Sequence, residues 1–420
     1  MNVFVLLPMV FVLVGIALYT LLGGADFGAG IWQLTSTGSA GREARELAHN
    51  ILAPVWEANH VWLIFVLTVM WTAYPPLFGS VASTLAVPLF LAAVGIIFRG
   101  ATYALYAGAR GPRDRRVIDT VFSLASLLTP FALGAAVGAV ATGRVPLGNA
   151  EGSLWSSWLN GSAIMIGALA VLISAFLAVI YLCADAARIG ASGLERRFRM
   201  RALACGVVTG GVAVATLVVV AFDAPALWGG LIGLGLPAVV VSGVAGLVTL
   251  ALVWRRRYSS ARISAAASVV AVLAGWALAQ HPFVLPGLTL SALAAPFDTL
   301  VAVVIAVVAG AIVLAPSLAL LFSLVLKGRF DPGELGPAGG PGQHPAGPAR
   351  FAPVLAARVA VALFLAGFGF LTIAESDWLH LVGVLCFVAF VLTGFRAVAP
   401  TRVAGEETPA ESGGTRRNEA

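Results

Sequence analysis

The chain has 420 residues, of which 60% are hydrophobic and only 10% charged, and its formal net charge is +6. Average globular chains carry about 25% charged residues, so this composition excludes a water-soluble protein of this length. The mean hydropathy of +0.97 indicates that lipid surrounds most of the chain. The apolar runs extend over about 20 residues without alternating polarity, which is typical of spanning helices and not of barrel strands. The sequence therefore predicts an all-α polytopic membrane protein.

The apolar segments fall into two groups, separated by a stretch rich in proline and glycine. The first segment lacks a basic leader and a cleavage pattern, so it is expected to stay as a membrane helix and not to be removed as a signal. Nine segments are expected near residues 3–25, 51–73, 81–109, 117–142, 162–187, 203–222, 227–253, 263–280 and 296–326, and two more near 354–373 and 379–399.

These segments predict four parts of the chain. Residues 1–326 are expected to form the main membrane domain and residues 353–400 an additional two-helix membrane hairpin. Residues 327–352 are too rich in proline and glycine for a helix and are expected to be a flexible cytoplasmic linker. The polar residues 401–420 are expected to be a disordered cytoplasmic tail.

The positive charges predict the orientation. Of the 25 lysines and arginines, 22 lie in loops that follow odd-numbered segments or near the C-terminus. Cytoplasmic loops accumulate positive charge, so the N-terminus is expected outside and the C-terminus in the cytoplasm. This placement accounts for the basic net charge without a nucleic-acid partner. The expected contact of the chain is with membrane lipid.

Four polar residues within the first three predicted helices are the candidate site. Asp26, Glu57 and Arg99 lie about seven to eleven residues from the inner ends of their segments, which corresponds to roughly 10 to 16 Å at the α-helical rise. His60 shares a helix face with Glu57 at a spacing of three residues. Ionisable residues inside a membrane span are rare and usually functional, so these side chains are expected to meet in the inner leaflet.

Two compatible interpretations of this cluster follow. In the first, Arg99 neutralises an acid and locks three helices together as a structural ion pair. In the second, the carboxylates form a proton-conducting or ion-coordinating path that opens to the cytoplasm. A secondary transporter that binds a small ion or substrate at Asp26, Glu57 and Arg99 is the alternative, although transporter sites usually lie at the bilayer midplane.

The remaining side chains predict no metal centre in this chain. Cys183, Cys205 and Cys386 lie in apolar segments at unrelated spacings, as expected for small buried hydrophobic residues. Haem iron is bound axially by residues such as His, Met or Cys, and His60 is the one histidine well inside a predicted span. The chain is therefore not expected to hold several haems by itself.

Several motifs together resemble subunit II of the cytochrome bd-type quinol oxidases, including the cyanide-insensitive branch. The resemblance covers about residues 1–326, and the family's nine-helix layout, two four-helix bundles plus one helix, agrees with the helix count and orientation predicted above. It is carried by GGADFGAG (23–30), HNILAPVWEANHVWLI (49–64), IIFRGATYALY (96–106), HPFVLPGLTLSALAAPFDTL (281–300) and VLAPSLALL (313–321).

The resemblance implies a subunit of a respiratory oxidase in the bacterial plasma membrane, which oxidises quinol and reduces oxygen to water. It implies that haems b and d belong to the partner, subunit I, and that this chain ligates none. Asp26 matches the family's proton-uptake acid, Glu57 a second acid that is Asp in some members, and Arg99 their arginine partner, with His60 a candidate relay. A bound structural quinone and small single-helix accessory subunits are further expectations. A purely structural assembly subunit differs from this only in whether the acids conduct protons.

The chain departs from the family pattern after Lys327, because typical members end near the ninth helix. The linker and the two later hydrophobic segments are an addition. They are either a fused small membrane subunit or a peripheral packing hairpin, and the sequence contains no motif that decides between these.

Overall fold

The computed structural model describes residues 2–34, 56–106, 111–326, 358–360, 362–367, 370 and 376–398. The chain divides into two compact units, Met1–Ser323 and Leu324–Ala420. Eight helices among the described residues are long and apolar enough to cross a membrane, and the second predicted segment is present as a helix with the shorter apolar stretch Asn59–Ala73. The prediction of an all-α polytopic membrane protein is confirmed.

The first half of the membrane unit begins with one long helical rod. Its two α-helices, α1 and α2, are joined without a break by a π-helical turn at Tyr19–Gly23. Four further helices follow. The α-helices of this half are α1 (Val3–Leu18), α2 (Gly24–Leu34), α3 (Trp56–Ala73), α4 (Pro75–Thr84), α5 (Ala86–Tyr106) and α6 (Pro112–Ala141).

The second half contains five longer helices, one short helix and a small β-hairpin. The hairpin pairs Phe283 with Thr289 in antiparallel register and is followed by a 3₁₀ turn at Leu290–Ala292. The elements are α7 (Gly161–Arg188), α8 (Ser192–Asp223), α9 (Pro225–Ile232), α10 (Leu236–Trp254), α11 (Tyr258–Gln280), β1 (Phe283–Leu285), β2 (Leu288–Thr289) and α12 (Phe297–Leu326).

Helices α6 and α7 form the centre of this unit. In an 18-residue apolar stretch of α6 and of α7, 61% and 50% of the residues are buried. In the corresponding stretches of α10 and α12, 11% are buried. Helix α7 packs along α2, α6 and α8. A side chain at the interface of α2 with α6 and α7 is therefore shielded from lipid as well as from water.

Two predicted segments are each split in the structure. The segment predicted at 81–109 is divided at Leu85, between α4 and α5, and the one at 227–253 is divided between α9 and α10. Proline has no N–H, so it costs a helix least in the first turn, where that N–H would have no partner within the helix. Pro88 and Pro237 lie in the first turns of α5 and α10, so new helices start there although the apolar run continues.

The second unit is described in part. Helix α13 (Asp377–Val398) follows short helical stretches at 358–360 and 362–367. The Phe364 and Phe387 rings meet edge to face with centroids 5.6 Å apart, and a Cβ added at Gly367 would lie 3.1 Å from the Gly383 carbonyl oxygen. The stretch 362–367 therefore packs closely against α13. The predicted linker and tail lie outside the described residues.

Candidate functional site

The candidate site begins at the π-helical turn between α1 and α2. In a π-helical turn each backbone N–H bonds to the carbonyl oxygen five residues earlier in the chain, instead of four as in an α-helix. Such turns frequently occur at functional sites. The amide Nδ2 of Asn59, which is 3% exposed, donates a hydrogen bond of 3.3 Å to the carbonyl oxygen of Leu22 inside this turn. The interruption therefore lies one helical turn before Asp26 and is bonded to α3.

Glycines place the first turns of α2 directly against its neighbours. A Cβ added at Gly28 would overlap the carbonyl oxygen of Ser174 on α7, and one added at Gly30 would overlap the hydroxyl of Ser126 on α6. Only a residue without a side chain fits at these two positions. The small residues around Asp26 thus allow the α2 backbone to approach two helices at once, as small residues do at membrane helix interfaces.

Arg99 on α5 and Asp26 on α2 form an ion pair that is closed to solvent. Their side chains are 0% and 1% exposed, and Nη2 of Arg99 lies 2.6 Å from Oδ1 of Asp26. The same nitrogen donates a 2.8 Å hydrogen bond to the Asp26 backbone carbonyl oxygen, and Nη1 donates to the hydroxyl of Ser126. The guanidinium group is thereby fixed between α2 and α6.

Aromatic rings shield the charged group. The guanidinium carbon of Arg99 lies 4.2 Å from the ring centroid of Phe122 and 5.0 Å from that of Phe27. A cation over an aromatic face is stabilised by about 2 kcal/mol or more when it is desolvated. Phe122 and Phe27 therefore compensate part of the hydration that Arg99 loses on burial.

Not every polar atom of the site is satisfied. Within the described part of the chain, Oδ2 of Asp26, the hydroxyl of Tyr19, Oδ1 of Asn59 and Nε of Arg99 are buried without a hydrogen-bond partner. Buried polar groups in proteins are almost always bonded, to ordered water where no protein group is available. One Asp26 oxygen is thus committed to the arginine, and the other can accept a proton or a water molecule.

The other predicted site residues are placed differently. The His60 ring lies edge to face with the rings of Tyr19 and Phe27, with centroids 6.0 and 6.2 Å apart. Glu57 lies in the first turn of α3, but its side chain is outside the described part of the structure. The structure therefore brings Asp26 and Arg99 into contact and places His60 beside the aromatic residues around them.

Sequence reasoning missed the residues that complete the site. Ser126 and Phe122 share one face of α6 at a spacing of four residues, so a polar residue among apolar ones was the available signal. Tyr19 lies in an apolar segment, and Asn59 directly precedes the candidate His60. Their assignment to the site required knowledge of which helices pack together.

An apolar groove lies on the surface of α5 and α6. It has a volume of about 640 Å³ and is lined by Val94, Gly95, Phe98, Leu124 and Leu128 among others, all apolar. This lining suits a hydrocarbon chain but offers no side-chain partner for a quinone headgroup. Among the described residues, no three His, Cys, Asp or Glu side chains are grouped as a metal site would require.

The sequence matches the family described as cytochrome bd terminal oxidase subunit II over residues 4–325. It is 28% identical over 115 residues to cytochrome bd ubiquinol oxidase subunit 2 of Bacillus subtilis, covering 27% of this chain and 33% of that protein. It is 27% identical over 128 residues to cytochrome bd-I ubiquinol oxidase subunit 2 of Escherichia coli K12, covering 30% of this chain and 33% of that protein. The matched segments thus span about a third of the length of these relatives.

The fold is also similar to that of a solved structure. A chain in the structure of bd oxidase from Geobacillus thermodenitrificans superimposes with a TM-score of 0.63 at 23% sequence identity. The similarity covers 77% of this chain and 99% of that chain. At this identity the comparison shows a shared fold.

Proposed function

Because the chain belongs to the cytochrome bd terminal oxidase subunit II family, we propose that it is the non-haem membrane subunit of a respiratory oxidase. The complex would oxidise two quinols for each oxygen molecule and release two molecules of water. The closed ion pair of Asp26 and Arg99 is the observation that carries this chain's own role, because it places a carboxylate with one unbonded oxygen inside the membrane domain.

The haems are assigned to the partner, subunit I. The side chain of His60, which the sequence places inside a span, lies among the aromatic rings of Tyr19 and Phe27, and no histidine or cysteine lines the apolar groove on α5 and α6. We therefore expect the axial ligands of haems b and d to come from subunit I. The chain would instead support subunit I through its apolar helix faces.

Proton delivery is the proposed contribution of the buried pair. Arg99 holds Oδ1 of Asp26, so a proton can be taken up and released at Oδ2. The guanidinium group also donates to the Asp26 backbone carbonyl oxygen and to Ser126. These two bonds do not depend on the charge of the carboxylate. The pair can therefore change protonation state while the helices keep their positions.

Glu57 and His60 are proposed as further members of this path. Glu57 lies in the first turn of α3, near the end of that helix that carries the predicted inner loop, which would let it load protons from the cytoplasm. His60 lies one turn further along α3. This direction rests on the predicted orientation, with the N-terminus outside and the C-terminus in the cytoplasm.

The assembly is tested by purifying the tagged chain from its native membranes in mild detergent. We expect subunit I to copurify, with haem signals in the reduced-minus-oxidised spectrum and oxygen uptake driven by quinol. Purification of a haem-free chain alone would overturn the proposal and favour the transporter alternative. Small accessory subunits and a bound quinone, both expected members of the complex, would be identified in the same preparation by mass spectrometry.

The proton role is tested by Asp26→Asn, which keeps the shape of the side chain but removes the titrating group. We expect quinol-driven oxygen uptake, normalised to the haem content of the assembled complex, to fall by about tenfold or more, since proton transfer by a positioned group contributes at least that much. Asp298→Asn, at an exposed position at the start of α12, is the matched control. Full turnover of Asp26→Asn would exclude Asp26 from the path.

A further inference from the structure

A basic groove lies on the first turns of α8, outside the buried site. It has a volume of about 540 Å³ and is lined by Gly193, Arg196, Arg197, Met200 and Arg201. Arg196 and Arg197 are exposed. The groove therefore presents guanidinium groups on a single helix face.

The acid next to these arginines does not neutralise them. Glu195 accepts a 2.6 Å hydrogen bond from the hydroxyl of Tyr258 and lies 3.9 Å from Arg256. Among the described residues, no carboxylate lies within 4.0 Å of Arg196 or Arg197. The positive charge of these two side chains is available to an external anion.

The groove lies at the depth of lipid headgroups. Helix α8 contains 32 residues, so it is about 48 Å long, whereas the hydrocarbon core of a bilayer is about 30 Å thick. The first turns of α8 therefore extend beyond the hydrocarbon. The guanidinium carbon of Arg201 lies 5.4 Å from the ring centroid of Trp32, and tryptophan rings are enriched at the membrane interface.

An apolar stripe continues from the groove along the same face of α8. Met200, Val207, Val214 and Phe222 recur every seven or eight residues and are 59%, 66%, 62% and 85% exposed. Residues at this spacing lie on one side of an α-helix. A free phosphate ion would use the arginines alone, but a phospholipid would use the arginines and the stripe together.

We propose that this groove binds the phosphate headgroup of an anionic phospholipid, with an acyl chain along the stripe of α8. Arginine donates pairs of parallel hydrogen bonds that match phosphate oxygens. Basic pockets at the cytoplasmic ends of membrane helices are suited to anionic lipid headgroups. The bound lipid would compensate the charge of the arginines and cover apolar surface that the helix otherwise exposes.

The test uses the purified complex with its partner subunit, stripped of lipid in detergent. Phosphatidylglycerol is added, and binding is measured by native mass spectrometry, with phosphatidylcholine as the neutral probe. We expect the double variant Arg196→Gln/Arg197→Gln to bind phosphatidylglycerol about tenfold more weakly than the unchanged complex, given the contribution of each basic residue to anionic lipid binding.

Arg255→Gln/Arg257→Gln is the matched control, because it removes two exposed arginines from the turn between α10 and α11. The control should bind phosphatidylglycerol like the unchanged complex. Equal losses in both double variants, or no loss in either, would overturn the proposal. Displacement of the lipid by inorganic phosphate at a similar concentration would also overturn it, since the apolar stripe would then contribute nothing.

Discussion

The two halves of the membrane unit each hold an acid against an arginine from another helix, but only one of the pairs is closed. In the first half, the Asp26 and Arg99 side chains are 1% and 0% exposed. In the second half, the Asp185 and Arg262 side chains lie 3.0 Å apart and are 12% and 29% exposed. The chemistry of the two pairs is the same, and their access to solvent differs.

The surroundings of the second pair show the consequence of that difference. Asp185 also faces Arg188 at 3.9 Å, and Arg262 donates a 2.8 Å hydrogen bond to the carbonyl oxygen of Tyr181 while lying over its ring. This network ties α7 to α11 near the basic end of the second half. These groups are partly exposed, whereas both members of the pair in the first half are closed off from solvent.

The comparison predicts the largest effect for Arg99→Ala. Removing one partner of a buried ion pair leaves an uncompensated charge, which typically costs roughly 3 to 5 kcal/mol. We expect a strong loss of assembled complex and of its thermal stability, measured by the yield of the complex after size-exclusion chromatography and by its unfolding temperature.

A double variant shows whether Arg99→Ala destabilises the complex because the attraction between Arg99 and Asp26 is lost or because the charge of Asp26 is left unpaired. Replacing both Arg99 by Met and Asp26 by Leu removes the charges together, and such replacements are often close to neutral for stability. We expect stability to recover in the double variant while oxygen uptake stays low. If Arg99→Ala were as stable as the unchanged chain, the anchoring role of the arginine would be wrong.

A smaller effect is expected for Arg262→Ala. The pair is partly open to solvent, and Asp185 keeps Arg188 nearby, so we expect a loss of roughly 1 kcal/mol. Oxygen uptake per assembled complex should not change. The same unfolding measurement, followed by an activity assay normalised to haem, checks this, and a loss as large as that of Arg99→Ala would contradict the importance of burial.

The smallest effect is expected for the ion pair of Arg144 and Asp223. Arg144 and Asp223 lie 2.7 Å apart but are 36% and 29% exposed, and Asp223 keeps a 3.2 Å hydrogen bond from the backbone N–H of Ser162. Arg144→Ala should therefore cost about 0.5 kcal/mol, and less at high salt. Unfolding temperatures at two ionic strengths check this, and a salt-independent loss would indicate that the pair is more shielded than its exposure implies.

The sequence predicted the helices better than their ends. The length of an apolar run is sufficient to predict a spanning helix. However, it indicates only the part of that helix that lies in the hydrocarbon core of the membrane. The segment predicted at 203–222 is the apolar part of α8, which begins at Ser192. The earlier turns are rich in arginine, which lowers the hydropathy but is a good helix former.

The candidate site was predictable in part for a related reason. Depth along each helix predicted that Asp26 and Arg99 lie at the same level, and they form an ion pair. The contacts of Arg99 with Ser126 and Phe122 depend on which helices are neighbours and how they are rotated. Spacing along a single segment carries no information on either, so these partners required the structure.

The π-helical turn at Tyr19–Gly23 changes how the first rod should be drawn on a helical wheel. Each residue of an α-helix is rotated by about 100° around the helix axis relative to the one before it. A π-turn contains one additional residue, and the residues after the turn do not receive the rotation of about 100° that this residue would add in an α-helix. A wheel continued from α1 would therefore place Asp26 about 100° away from the side on which it meets Arg99. Residues before and after the turn belong to two wheels with different phase, and positions for labels or crosslinks along this rod have to be chosen separately on each.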